Sequence, residues 1–118
     1  MYSINPYKSN ILKWFSFLEK ENGMIVSNIF NNSIEWENER FGFHIGIEKY
    51  YPDVNFIFIN KLTKNSLSLF NILKNKMLQD FSYPNEVISA ANTIEDKTER
   101  QFYYASYLVK NYCQEYLS

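Results

Sequence analysis

Apolar and polar positions change their period twice along this chain, from helical to alternating and back. Over residues 6–22, Tyr7, Ile11, Trp14, Phe15 and Leu18 recur at spacings of three and four, while Lys8, Lys13, Glu19 and Lys20 fall elsewhere. That spacing predicts an amphipathic helix. Asn5 stands where a cap belongs and Pro6 where a first helical residue needs no amide donor; Gly23 follows where a left-handed residue ends a helix. Burial of Trp14, Phe15 and Leu18 contributes about 1.5–3 kcal/mol each, so these side chains need no ligand to explain them.

Between residues 24 and 60 the period falls to two, which marks a sheet. Met24–Phe30 reads as a first strand, Asn31-Asn32 as a turn, and Ser33–Glu39 as a second strand with Ile34 and Trp36 on one face. Phe41, Phe43, Ile45 and Ile47 then alternate with Gly42, His44, Gly46 and Glu48. After a turn at Tyr51-Pro52-Asp53, Val54–Ile59 is apolar on both faces, the pattern of a central strand covered from two sides. Short connections predict an antiparallel meander of four strands.

The helical period returns beyond Lys61, with Leu69, Phe70, Leu73, Met77 and Leu78 on one stripe and Asn65 or Ser66 as caps. Ser82-Tyr83-Pro84 ends that helix, a short one runs from Pro84 to about Asn92, and the last from about Asp96 to Leu117. Asp96 and Glu99 have the spacing of a capping-box variant, and Phe102, Ala105, Val109, Tyr112 and Tyr116 form the apolar stripe. The expected fold is α+β: one N-terminal helix, a four-stranded sheet and three C-terminal helices in one domain of 118 residues.

Composition narrows the chemistry. A net charge of -1, with Arg only at Arg40 and Arg100, argues against sequence-independent nucleic-acid binding, which relies on clustered cations displacing counterions. The longest apolar runs, such as Phe56–Ile59, fall far short of the roughly 20 residues that span a bilayer, and Met1–Pro6 lacks the marks of a secretory signal. Cytoplasmic residence is therefore expected. With one cysteine, Cys113, no internal disulfide and no cysteine zinc site can form, and the residue reads as a small packed hydrophobe.

Three glycines leave little material for a phosphate loop, and there is no Gly-x-Ser-x-Gly elbow, His-Glu-x-x-His or Cys-x-x-Cys. No cofactor or metal is expected, and the chain reads as a binder before an enzyme. Glu35, Glu37 and Glu39 alternate along the second strand, so period two puts all three on the face opposite Ile34 and Trp36. Such a row is either a solvated guard of an exposed edge or an acidic strip for a basic partner.

His44 shares that polar face if the two strands pair as a hairpin. It is then a plain polar residue, a general base held by a carboxylate, or one ligand of a metal. The glycines on either side of it leave room for another backbone or a bulky side chain to approach the sheet. The tyrosines of the last helix, Tyr103, Tyr104, Tyr107, Tyr112 and Tyr116, point around more than one face, so they divide between core edge and surface anchors.

With the Glu35, Glu37, Glu39 row and the tyrosine-rich segment Phe102–Tyr116, the chain resembles in general layout the small immunity proteins of bacterial toxin systems, including contact-dependent growth inhibition. The resemblance implies a stoichiometric complex with a toxin domain, often a nuclease, whose cationic cleft would be met by carboxylates standing in for phosphates. Glu35, Glu37 and Glu39, with Glu48 and Asp53, would carry that contact, and His44, Tyr103 and Tyr107 complete the expected partner-binding set. Two other readings stay open. One is a small enzyme or ligand binder using His44 with Glu35 or Glu37, and the other a structural or regulatory subunit self-associating through its tyrosine helix. Monomer or weak homodimer fits the first reading.

Overall fold

The computed structural model describes residues 2–51, 53–76 and 81–118. Its centre is a five-stranded antiparallel meander in the order β1 (Ile25–Ile29), β2 (Ser33–Glu37), β3 (Phe41–Ile47), β4 (Val54–Asn60) and β5 (Ser66–Ser68). The helices are α1 (Lys8–Trp14), α2 (Phe17–Asn22), α3 (Leu69–Asn75), α4 (Asn85–Asn92) and α5 (Lys97–Tyr112), with 3-10 turns at Asn5–Tyr7 and Gln114–Tyr116.

One face of the sheet carries Ile34, Trp36, Phe43, Ile45 and Phe58, all nearly or fully buried in a core shared with Ile11, Phe15 and Leu18 and with Phe102, Val109 and Leu117. Phe15 is the hub of this layer. Its ring lies 5.7 Å from Phe43, 6.0 Å from Trp36 and 6.4 Å from Phe56, centroid to centroid. It also sits where the expected single N-terminal helix breaks: Phe15 has φ -99° and ψ 14°, and Phe15-Ser16 separate α1 from α2. The break lets Phe15, Phe17 and Leu18 all reach the core, which one straight stripe would not allow.

The caps differ in detail from the expectation. Asn5 does not cap; it is the first residue of the 3-10 turn, and its amide donates to Ser3 Oγ at 3.0 Å. Gly23 does end α2, in the left-handed region at φ +64°. Asp96 caps α5 by accepting from the Glu99 amide at 3.0 Å, but the Glu99 carboxylate turns to Asn10 Nδ2 of α1 and leaves the box half closed. α5 ends at Tyr112, and Cys113, fully buried, begins the final turn.

Two expectations about the sheet are corrected. Residues 66–68 form an additional edge strand instead of starting a helix, so the cap of α3 is Ser68, whose Oγ accepts from the Asn71 amide at 3.1 Å, and not Asn65 or Ser66. β4 is also not covered from both sides: Phe58 is buried, but Asn55, Ile57 and Ile59 on its second face are only half-buried. The turn at Tyr51-Pro52-Asp53 and the helical positions Met77 and Leu78 fall partly or wholly outside the described residues.

Candidate functional site

Strand register builds the second face of the sheet residue by residue. Asn28 pairs with Glu35, Glu35 with His44, and His44 with Ile57; in the next row Ile25 pairs with Glu37, Glu37 with Gly42, and Gly42 with Ile59. The helical layer lies on the other face, so this one presents carboxylates, an imidazole and isoleucines to solvent. The side chains of His44, Glu35 and Glu37 are 28%, 32% and 46% exposed, enough for a partner to reach all three.

His44 Nδ1 lies 3.2 Å from Glu35 Oε2, and Asn28 Nδ2 donates to Glu35 Oε1 at 3.2 Å. The carboxylate thus orients the imidazole, favouring the tautomer with the proton on Nδ1 and leaving Nε2 as an acceptor. Nε2 points toward Gly46, where a built Cβ would approach it to 2.8 Å. Glu37 Oε2 is 3.6 Å from Lys61 Nζ, which also donates to the Asn38 carbonyl at 3.0 Å. Between the two glutamates a depression of about 130 Å³ lies over Gly42, with Ser27, Asn28, Ile59 and Lys61 among its walls.

The expected row of three strand carboxylates is two. β2 ends at Glu37, and Glu39 is exposed in the turn beyond it, because Asn38 Oδ1 accepts from the Arg40 and Phe41 amides and folds the chain over. Glu39 still borders a shallow depression shared with Glu37, Ile25 and Lys61. Glu48 and Asp53 flank the opposite end of β3 and β4, where the Glu48 amide donates to the Asp53 carbonyl at 2.9 Å. Six residues of strand put Glu48 about 20 Å from Gly42, so this pair is not part of the same cluster.

Tyr103 and Tyr107 lie in the helical layer, with the sheet between them and the glutamates. Tyr103 meets Trp14 edge-on at 5.2 Å, and Tyr107 contacts Tyr83 at 5.8 Å and Tyr112 at 6.3 Å. Desolvation, followed by Tyr112, raises the Tyr107 phenol above its ordinary value. Both tyrosines line a groove of about 220 Å³ with Trp14, Phe17, Val87 and Lys110. They are core-edge residues with exposed rims.

Sequence reasoning missed Asn28, Ile57, Ile59 and Lys61 as members of the open face. The alternation within Val54–Ile59 was a usable signal, since it separates Ile57 and Ile59 from Phe56 and Phe58. Pairing register, which sets them beside His44 and Gly42, has no local signature.

Among the described residues, no group of three or more His, Cys, Asp or Glu side chains is placed to hold a metal ion, and no helix is long and apolar enough to cross a membrane. No family model, curated protein or solved structure matches the chain. The functional reading therefore rests on the geometry of the open face.

Proposed function

We propose that this chain is a protein-binding module that docks a basic partner on the open face of its sheet, in the manner of a cytoplasmic immunity protein masking a toxin domain. The supporting observation is that face itself: Glu35 and Glu37 stand half-exposed beside Ile25, Ile57 and Ile59, held on a sheet whose other side is the core. Apolar area of this kind supplies affinity once covered, and the carboxylates supply orientation and a faster encounter with a cationic surface. Glu39 extends the acidic end of the face. Glu48, Asp53, Tyr103 and Tyr107 are outside this patch and contribute only if a partner wraps further.

The test is a growth assay in which the product of the adjoining gene is expressed with and without this chain, followed by size-exclusion chromatography of the mixed proteins. Rescue and a stoichiometric complex are expected. Replacing Glu35, Glu37 and Glu39 together by Gln should then slow association and flatten its salt dependence with the fold retained. Neither rescue nor a complex at low salt would sink the reading.

One contact favours a second reading, a small enzyme or ligand binder. Glu35 holds the His44 imidazole at 3.2 Å as a general base is held. His44→Ala separates the two: loss of a turnover activity with binding intact favours catalysis, and intact function excludes it.

A further inference from the structure

Gly42 and Gly46 both interrupt the interior of β3, where glycine is less stable than a residue with a side chain. Gly46 has an internal reason. A Cβ there would meet Asn55 Oδ1 and His44 Nε2, each at 2.8 Å, so the space is already taken by the protein. Gly42 has none. Its Cβ would meet Ile59 Cβ at 3.5 Å, Ile59 Cδ1 at 3.7 Å and the Trp36 carbonyl at 3.7 Å, all ordinary contacts, and its backbone is not in the left-handed region. What the missing side chain leaves is the depression of about 130 Å³ between Glu35 and Glu37. A strand glycine that neither conformation nor internal contact requires leaves room for a close approach from outside.

The walls define what approaches. Glu35 receives Asn28 Nδ2 and His44, and Glu37 faces Lys61, so two carboxylates meet one ammonium. Each carboxylate offers about four lone-pair sites, so acceptors remain on both. Ile59 adds apolar surface. The volume is that of roughly four water molecules, the scale of a small planar group. Glutamates two residues apart, with Cα atoms about 7 Å from one another, bracket a planar fork of donors better than a point charge.

We infer that the depression over Gly42 receives the guanidinium of an arginine side chain from the basic partner. This rests on the open-face docking proposed above and names its anchor. Lys61 holds the rim in the free protein and gives way to the incoming arginine.

The experiment is an amide-resolved NMR titration with N-acetyl-arginine methylamide, alongside the citrulline and lysine analogues. Saturable shifts at Gly42, Glu37 and Ile59 are expected for the arginine compound, with the neutral citrulline compound about tenfold weaker or worse. Gly42→Ala should abolish the saturable shifts while the far-ultraviolet spectrum and melting temperature hold. Glu37→Gln, which needs no new volume, should weaken binding about tenfold and serves if the alanine variant does not fold. Absence of saturable shifts, citrulline equal to arginine, lysine equal to arginine, or retained binding in the variant would each overturn the inference. If Gln at Glu35 and Glu37 weakens the partner complex but Gly42→Ala does not, open-face docking stands and the arginine pocket falls.

Discussion

Asn38 Nδ2 donates to the Leu117 carbonyl at 2.7 Å, tying the turn between β2 and β3 to the last turn of the described chain. The same amide donates to the Asn22 carbonyl at 2.9 Å, and its oxygen accepts from the Arg40 and Phe41 amides. One side chain thus shapes the turn that displaces Glu39 and joins α2 to the C-terminal segment, while the Asn38 backbone carbonyl accepts from Lys61. Asn38→Ala removes four hydrogen bonds and leaves partly buried carbonyls without donors. A loss of about 2–4 kcal/mol is expected, read as a fall of about 10 °C in melting temperature. A shift within 2 °C or so would show that water replaces these bonds at little cost.

Phe15 joins the N-terminal helices to three aromatic rings of the sheet. Phe15→Ala should cost about 3–5 kcal/mol in urea unfolding, and Phe15→Leu distinctly less, because leucine refills most of the cavity.

Gly46→Ala tests how tightly His44 is held. The added Cβ collides with the ends of the Asn55 and His44 side chains, which are able to swing, so the stability loss should stay near 1 kcal/mol. The imidazole resonances should move strongly as His44 leaves Glu35. Unmoved His44 resonances would show that Asn55 alone yields.

Burial pushes the Cys113 thiol up from 9.0 to about 12, with Lys76 opposing and Glu115 adding to the rise. The folded thiol therefore keeps its proton where the unfolded one has lost it. Its contribution to stability is complete below pH 9 and declines as pH rises from 9.0 towards about 12, by at most about 1.4 kcal/mol per unit. Tyr83, raised mainly by burial, and Tyr7, raised mainly by burial and then by Asp96, add the same sign from about pH 10. Cys113→Ala should flatten the stability profile between pH 9 and 10, and the native thiol should resist alkylation at pH 8. Rapid labelling of folded protein would contradict both expectations.

The sequence alone determined much of the core layer and the alternation of β2 and β3, although Phe70, expected on the stripe of α3, is exposed and Phe17 is buried. Phe43, Ile45, Phe102 and Val109 were legible because apolar periodicity is local and hydrophobic burial acts on every matching position. The capping role of Asp96 and the stop at Gly23 were legible for the same reason, since both depend on a few neighbouring residues. Tertiary structure decided the rest. β5 exists because β4 offers Ser66–Ser68 a free edge, a pairing that three short residues cannot announce. The break at Phe15 follows from what the core demands of its ring. The candidate site depended on register above all: Glu35 beside His44, and Gly42 between Glu37 and Ile59, are cross-strand facts, and a slip of one residue would send every one of them to the other face.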